Sequence, residues 1–466
     1  MIRPSVFHKF EEMEQRLELF NLSIDDVPVW ERVRHNVIQE VLSNVTGRSA
    51  HDNSTNNYPT ILKKFRLWIN NIFQHNPFIS SDKDIVFWGH ERRKKMAEDK
   101  WWDIYFDTIN ETLENSYVHL EGPFKLTHKT PPKTDNIKYI DTILFTGSLL
   151  RKIGIFNINI NENTMHKIRN IEKYIRDIIG VDIDVESIIT REMNNRKFRL
   201  NLYKTMLKSI NPSIAVIVVS YNKETFIEAC KELGIPVIEL QHGTIHKRHF
   251  AYSYPEGKTK KAFPDYFLTW GRYWNDKIRL PLKDNKIVPV GFPYIERFTQ
   301  RSNHDGSSTK IVFLSQKTIG SKLSQLAVEL SEKFGNRYSI LYKLHPEEYT
   351  SWREDYNYLE GTGIEIIGES EQSLYELFSG AKAQVGVYSS AVFEGLYFGL
   401  ETFIFYCDER ASLFDDLHRK EYVRYIYGSE DLVAGLKRSN ENINKDYLFE
   451  PNAVENINGF LQNLVE

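Results

Sequence analysis

Short apolar runs alternate with helical stretches along most of this chain, and this alternation constrains its fold more than any other feature. From residue 84 the runs are DIVFWG, YVHLEG, DTILFTG, IAVIVVS and PVIEL, with a long helical region at 163–209 between the third and the fourth. Runs that are apolar throughout are typical of parallel strands with helices on both faces of the sheet. The pattern therefore predicts βαβ units and an α/β fold.

A second series of the same kind follows a passage rich in proline, glycine and polar residues at 288–309. Its apolar runs are KIVFLSQ, YSILYKLHP, IEIIG, AQVGVYSS and TFIFY, and we predict helices between them at 320–334, 371–380 and 391–399. The chain is thus predicted to hold two tandem Rossmann-like domains facing a cleft, with an N-terminal helical extension. The predicted segments are a helical region at 1–80, domains at 81–300 and 301–440, and a C-terminal helix at 441–466 that packs back on the first domain.

Composition excludes several classes of function. The chain has 466 residues and a net charge of -3, so it has no polycationic character of the kind that drives non-specific nucleic-acid binding. Two cysteines, Cys230 and Cys407, give no zinc spacing and fit a reducing compartment. The first residues contain no apolar signal segment, and no eighteen apolar residues run together. We therefore expect a cytoplasmic protein.

The N-terminal region carries helical spacing at 1–45, which predicts two short helices, and an amphipathic helix at 60–73 after a polar loop, GRSAHDNSTNN. On this third helix an apolar face is predicted, and Lys63, Lys64 and Arg66 lie off it; the face is formed by Ile61, Leu62, Phe65, Trp68, Ile69 and Ile72. Such a helix is suited to a peripheral contact with an anionic membrane. The alternative interpretation is a helix that docks on its own core, and the two stand about equal.

Two strand ends of the second domain carry candidate phosphate contacts. YKLHP ends a strand with Lys343 and His345, an ammonium and an imidazole suited to a phosphate oxygen. VYSSAVFEG places Ser389 and Ser390 before a predicted helix, where backbone N–H groups favour anions, and Glu394 one turn later is suited to a ribose. Taken singly, a histidine that binds a backbone carbonyl, a serine cap and a solvated glutamate explain these residues equally well.

The first domain offers QHGTIHKRH at the end of another strand. Gly243 is expected to allow a backbone turn that other residues resist, so that His242 projects toward the cleft as a proton acceptor or phosphate ligand. The loop 246–249 is basic, which indicates either an anionic ligand or a solvated turn; Gln241, Gly243 and Arg248 are candidate acceptor or phosphate contacts. A further strand end, FWGHERRK, offers His90, Glu91 and Arg92, and Glu91 is the second candidate for a catalytic base.

The motifs LQHGT, YKLHP and YSSAVFEGLYFG, in this order across two Rossmann-like domains, resemble those of GT-B glycosyltransferases of bacterial surface polysaccharide assembly. The likeness is to the group of capsule Kdo transferases, polysialyltransferases and CDP-glycerol glycerophosphotransferases of teichoic acid synthesis. It implies that His345, Ser389 and Ser390 contact the phosphate of an activated donor, and that His242 lies in the cleft near the chemistry. The chain departs from the group in lacking a clear acidic base motif, and its helices at 1–80 have no counterpart in compact members.

The resemblance implies an inverting glycosyltransferase with an acceptor domain first and a donor domain second. No metal and no cofactor is expected beyond a nucleotide-activated donor, because no convincing D-x-D loop is present and the phosphate charge can be met by His345, Lys343 and a helix start. The expected partners are a nucleotide-sugar and a glycan or lipid-linked acceptor. Three alternatives stay open: a CDP-polyol phosphotransferase, a nucleotide-sugar epimerase and a non-catalytic scaffold of a polysaccharide complex.

Overall fold

The computed structural model describes residues 5–46, 58–91, 93–96, 99–152, 158–299, 308–368, 372–437 and 443–466. Within them the chain forms two compact units. The first contains residues 1–269, 274–289 and 454–466, and the second contains residues 270–273 and 290–453. The segment at 47–57, which was predicted to be a polar loop, Arg92, and residues 300–307 of the passage at 288–309 lie outside the described residues.

The first unit is built on a seven-stranded sheet in which every pair of neighbouring strands is parallel. Its strands are β1 (Ile85–Trp88), β2 (Tyr117–Glu121), β3 (Ile137–Tyr139), β4 (Ile214–Val218), β5 (Val237–Leu240), β6 (Tyr266–Thr269) and β7 (Ile287–Pro289). The spatial order is β7-β6-β5-β4-β1-β2-β3, so the sheet grows in one direction from β1 to β3 and in the other from β4 to β7. This order is that of a doubly wound sheet, and its direction switches between β1 and β4.

The second unit repeats the arrangement with six parallel strands. They are β8 (Lys310–Leu314), β9 (Ser339–Lys343), β10 (Glu365–Ile367), β11 (Ala383–Gly386), β12 (Glu401–Phe405) and β13 (Arg424–Ile426). The order β10-β9-β8-β11-β12-β13 is the Rossmann order, with its switch between β8 and β11. The prediction of two parallel α/β sheets with an N-terminal helical region is confirmed.

Helices connect the strands and cover the sheets. Those used below are α1 (Val6–Arg16), α2 (Trp30–Val45), α3 (Tyr58–Phe73), α4 (Asp141–Lys152), α5 (Glu162–Tyr174), α6 (Val185–Ile210), α7 (Glu224–Glu232), α8 (Gly320–Phe334), α9 (Leu374–Ser379), α10 (Ala391–Tyr397) and α11 (Ala453–Val465). Residues 454–466, which include all of α11 after Ala453, belong to the first unit, where the Phe460 ring lies 5.2 Å from that of Tyr266.

One predicted strand is wrong. DTILFTG at 141–147 begins α4, and the strand of this region is β3, which ends two residues earlier. A short apolar run does not distinguish a buried strand from one side of a buried helix. Here Asp141 lies in the first helical turn, where the helix dipole favours a carboxylate, and the Asn71 side chain accepts hydrogen bonds from the backbone and hydroxyl of Thr142.

The N-terminal helices share a hydrophobic core with α5 and α6. The buried side chains of this core come from both parts of the chain, and they include Phe10, Trp30, Val33, Val37, Ile168, Ile171, Ile189 and Met193. α1 and α2 are therefore packed as part of the first unit.

Helix α3 packs on α4, and this corrects the predicted apolar face. The Trp68 indole donates a hydrogen bond to the Thr146 hydroxyl at 2.7 Å, so Trp68 faces the protein. The large apolar side chains that α3 does expose are Leu62, Phe65 and Phe73, the last at 81%. Lys63 and Arg66 are exposed with them. Among the described residues no helix is both long and apolar enough to cross a bilayer.

Candidate active site

The switch point of the first sheet is formed by the segments that follow β1 and β4. Gly89 follows β1, and a side chain there is excluded because a Cβ would lie 2.1 Å from Asp103 Oδ2 and 2.2 Å from His119 Nε2. After β4, Val219 has φ 66° and Asn222 has φ 67°. A positive φ at a β-branched residue is a strained conformation, and such strain is concentrated at functional sites.

His242 follows β5, which is next to β4, and its side chain is mostly buried. Its Nδ1 lies 3.3 Å from the Tyr252 hydroxyl and its Nε2 lies 3.5 Å from the Tyr221 hydroxyl. The Tyr105 hydroxyl donates to its backbone carbonyl at 2.8 Å. Burial, followed by the neighbouring His249, holds the pKa of His242 well below its usual value. His242 is therefore neutral at neutral pH, which is the form that accepts a proton.

Other imidazoles surround His242, and they too are held neutral by burial. The His249 ring lies 6.5 Å from the His242 ring, and the His35 ring of α2 stacks on His249 at 5.8 Å. Burial lowers the pKa of His35 and of His246 to about 4, and that of His249 to about 3. The histidines of the loop at 246–249 therefore carry no positive charge at neutral pH, contrary to the interpretation of this loop as basic throughout.

The remaining predicted residues of this loop do not gather around His242. Gln241 is buried, and its amide donates to the Gly243 carbonyl at 2.8 Å, so it stabilises its own turn. Gly243 does not have a left-handed φ, and a Cβ there would meet no atom within 4 Å, so the expected requirement for glycine is wrong. The Arg248 guanidinium is exposed and lies 5.4 Å from the centre of the Phe7 ring.

Two carboxylates and one ammonium lie near the switch point, and only one of the three, Glu91, was predicted from the sequence. Glu91 is partly buried beside Gly122, where a Cβ would lie 3.3 Å from its Oε1. Lys223, which the sequence analysis missed, is almost fully buried, and its ammonium donates to the carbonyls of Val218 and Val219. Burial lowers its pKa, while Glu91 and Glu239 oppose that shift. Glu239 was also missed, and it lies fully buried in β5.

A network of buried charged residues lies after β1 and β2. The end of β1 was predicted as a candidate site, but none of the residues of this network was predicted. Arg93 donates to Glu121 and Asp107, and His128 lies between Glu121 and Asp141 at 3.2 and 2.9 Å. Burial lowers the pKa of His128, but the hydrogen bonds that its ring donates to these carboxylates outweigh this effect and raise the pKa to about 9. No local spacing marks these residues, because the network joins segments that are distant in the chain.

In the second unit, His345 follows β9 in a turn held by a buried carboxylate. Glu348 is fully buried, accepts the backbone N–H of His345 at 2.7 Å, and accepts the hydroxyls of Ser315 and Tyr356 at 2.9 Å each. His345 Nδ1 accepts the Glu347 backbone N–H at 3.3 Å. A neutral ring whose Nδ1 accepts carries its proton on Nε2, which is then a donor. The His345 side chain is 41% exposed, so this donor is accessible.

The other predicted donor contacts lie at the same edge of the sheet. Ser389 follows β11, and its hydroxyl accepts the Ala391 backbone N–H at 3.3 Å at the start of α10, a helix of seven residues. Ser390 is the N-cap residue and makes no capping bond through its side chain. Glu394 lies partly buried in α10. Since β9 and β11 flank β8, His345 and Ser389 follow strands two spacings apart, about 10 Å.

Lys343 is held by its own unit. Its ammonium donates to the Gly368 carbonyl at 2.5 Å and to the Tyr349 hydroxyl at 3.4 Å. A cation that the sequence analysis missed lies at the switch point instead. Arg410 donates to both oxygens of Asp408, to Tyr388 at 2.9 Å and to Thr318 at 3.2 Å.

No group of histidine, cysteine, aspartate and glutamate side chains suited to a metal ion occurs within the described part of the chain.

Comparison with known proteins gives likenesses of fold at low identity. No family model matches the chain, and no curated protein matches it. Among solved structures it is similar to the UDP-GlcNAc 2-epimerase of Methanocaldococcus jannaschii, with 11% identity, a TM-score of 0.48 and coverage of 81% of this chain and 99% of that one. It is also similar to the wall teichoic acid polymerase TagF, with 12% identity, a TM-score of 0.43 and coverage of 93% and 97%.

Proposed function

We propose that this protein is an inverting, metal-independent glycosyltransferase that moves a sugar from a nucleotide-activated donor to a hydroxyl of a surface polysaccharide or lipid-linked glycan. The observation that carries the proposal is the neutral, mostly buried His242 at the carboxyl edge of the first sheet, with a hydroxyl at each ring nitrogen. A positioned neutral imidazole is the commonest general base in enzymes. Ligands of doubly wound sheets bind at this edge.

The reaction is a single displacement. The acceptor oxygen forms a bond to the anomeric carbon as the bond from that carbon to the phosphate oxygen breaks, and His242 takes the proton of the acceptor hydroxyl. The nucleotide leaves with its phosphate charge. Attack opposite the leaving group inverts the configuration at the anomeric carbon.

The leaving phosphate is assigned to the second unit. His345 offers an accessible donor, and Ser389 and Ser390 add hydroxyls on the other side of β8. Fixed donors directed at developing charge lower the barrier because they need no reorganisation during the reaction. Lys343 contributes positive charge behind His345 rather than a direct contact, since its ammonium is held by Gly368.

The proposal is tested by incubating the purified protein with UDP-, CDP-, GDP- and CMP-activated donors, with and without short glycan acceptors, and analysing the products. Release of the nucleotide with extension of a glycan supports transfer. Transfer of a polyol phosphate from a CDP-polyol indicates the phosphotransferase. Turnover of UDP-GlcNAc without an acceptor indicates the epimerase, and binding or turnover of none of them indicates a scaffold.

Activity is expected to survive EDTA, because the charge of the leaving phosphate is assigned to protein donors. The measurement is initial rate with EDTA against the same protein without it. Complete loss that Mg²⁺ or Mn²⁺ restores contradicts the metal-independent mechanism.

Replacing His345 by alanine should abolish most of the nucleotide-induced thermal stabilisation and most of the turnover. A ligand that binds only the folded state stabilises it by mass action, so the shift in Tm with added nucleotide reports the affinity. His418→Ala is the matched control, because His418 is a histidine of the same unit whose Nδ1 binds the Val423 carbonyl. Unchanged nucleotide affinity in His345→Ala removes His345 from the donor site.

Helix α3 is proposed to hold the protein at an anionic membrane through its exposed side chains. Leu62, Phe65 and Phe73 enter the interface in this proposal, while Lys63, Lys64 and Arg66 each contribute about 1 kcal/mol of attraction to anionic lipid. Wild type should float with anionic vesicles at low salt and be released by salt. The double variant Phe65→Glu, Phe73→Glu should stay folded and not float.

The control for that experiment is Ile178→Glu, which adds charge at an exposed apolar residue outside α3. It should float like wild type. Failure of wild type to bind anionic vesicles, or equal binding by both variants, removes the membrane contact from the proposal.

A further inference from the structure

We infer that Tyr252 and Glu239 are positioning residues that fix the proton of His242 on Nδ1 and leave Nε2 as the atom that accepts the proton of the acceptor hydroxyl. The inference deepens the proposed function and rests on it for the role of His242. The hydrogen-bond arrangement itself can be measured without any activity.

The hydrogen-bonded series Glu239, Tyr252 and His242, called the relay here, begins at the carboxylate of Glu239. Glu239 lies in β5 with no solvent exposure. Its Oε1 accepts the backbone N–H of Ser220 at 3.0 Å and also contacts the Tyr252 hydroxyl. Burial raises the pKa of Glu239, and hydrogen bonds from Ser220 and Tyr252 and the Lys223 ammonium oppose this shift. Because Oε1 already accepts the backbone N–H of Ser220, it serves as an acceptor, and the hydroxyl proton of Tyr252 is directed toward it.

The Tyr252 hydroxyl has one proton. With that proton in the hydrogen bond to Glu239, the Tyr252 oxygen can only accept from His242 Nδ1, which lies 3.3 Å away. Nδ1 must then carry the imidazole proton, and a neutral ring with its proton on Nδ1 has a lone pair on Nε2. The tautomer of a histidine is set by the bond that its other nitrogen makes.

The same contacts matter once His242 has taken a proton. The imidazolium then donates from Nδ1 to Tyr252, which donates to Glu239, so the new positive charge faces a carboxylate through one hydroxyl. This favours the charged ring in a surrounding that otherwise opposes it, since burial, followed by the neighbouring His249, lowers the pKa of His242. A carboxylate that orients and supports a histidine base in this way need not take up the proton.

The alternative arrangement reverses the direction of both hydrogen bonds. If Glu239 held a proton and gave it to Tyr252, Tyr252 would donate to Nδ1, and the proton of His242 would lie on Nε2. His242 would then be unable to act as a base at Nε2. The tautomer of His242 in the resting protein distinguishes the two arrangements.

The experiment is ¹⁵N NMR of the full chain labelled at histidine, with the His242 signals assigned by their absence in His242→Ala. We expect a protonated Nδ1 and an unprotonated Nε2 in wild type, and a mixture of tautomers in Tyr252→Phe, which keeps the ring and removes the hydroxyl. The matched control is Tyr254→Phe, because the Tyr254 hydroxyl lies on the same loop but contacts the Glu31 carbonyl at 3.3 Å. It should leave the His242 signals unchanged.

Turnover gives the second readout. Tyr252→Phe and Glu239→Gln should lower kcat on the order of 10- to 100-fold with the KM for the donor unchanged, a smaller loss than removal of the base itself. A proton on Nε2 of His242 in wild type overturns the relay, whatever the activity. The predicted tautomer in a protein that transfers no sugar supports the relay and contradicts the proposed function, so the two failures are distinguishable.

Discussion

His242→Ala should reduce kcat on the order of 10²–10⁴-fold, the usual range for the loss of a general base, with little change in donor affinity. The reason is the arrangement around the ring. His242 is kept neutral by burial, and its Nε2, which lies 3.5 Å from the Tyr221 hydroxyl, is the nitrogen proposed to take the proton of the acceptor hydroxyl. The measurement is steady-state turnover together with nucleotide binding by thermal shift.

Two comparisons make this result specific. His166→Ala, on the exposed surface of α5, should turn over like wild type and controls for the loss of any histidine. Glu91→Gln tests the second candidate base, which is partly buried after β1, two strands away from β5. A larger loss in Glu91→Gln than in His242→Ala would transfer the role of base to Glu91. A fall in donor affinity alone would make His242 a phosphate ligand.

Much of the fold could be predicted because the strands are buried on both faces. IVFW, IAVIV and VIEL are apolar enough to be recognised without any alternation, and the helix predicted at 320–334 has the bounds of α8. The run at 141–147 was misassigned because its apolar residues lie on the buried side of a helix. The strands β6 and β7 were not predicted, since the chain between 250 and 290 is rich in aromatic, polar and proline residues.

The site was predictable only where chemistry follows a strand directly. His242, His345, Ser389 and Ser390 stand at strand ends in the sequence, and the structure places them there. The residues around these side chains were not predicted, because their contacts join distant segments of the chain. An example is Arg410, which donates to the hydroxyls of Tyr388 and Thr318. Glu239 could have been predicted from the sequence. It is an acidic residue within the apolar run PVIEL, and a carboxylate in a buried strand has to be paired.

The N-terminal helices are tied to the loop that carries Tyr252 through one arginine. Arg34, in α2, donates to both oxygens of Glu14 at 2.5 and 2.9 Å. It also donates to the backbone carbonyls of Phe250 and Ser253 at 2.9 and 2.5 Å. The pair is almost completely buried, with side-chain exposures of 2% and 1%. The guanidinium therefore joins α1, α2 and the loop after His242.

Arg34→Met should lower the free energy of unfolding by about 3–5 kcal/mol, because it leaves the Glu14 carboxylate buried with the Trp30 indole as its remaining donor. The measurement is the urea midpoint followed by tryptophan fluorescence. Arg16→Met, an exposed arginine of α1, is the control and should change stability by about 0.5 kcal/mol or less.

The double variant Arg34→Met, Glu14→Gln should recover much of the loss, since removing both charges leaves no unpaired ion. The kcat of both variants should be below that of wild type, because in both the carbonyls of Phe250 and Ser253 lack the donor that positions Tyr252 between them. Wild-type stability in Arg34→Met would show that the N-terminal helices are held by their apolar core alone.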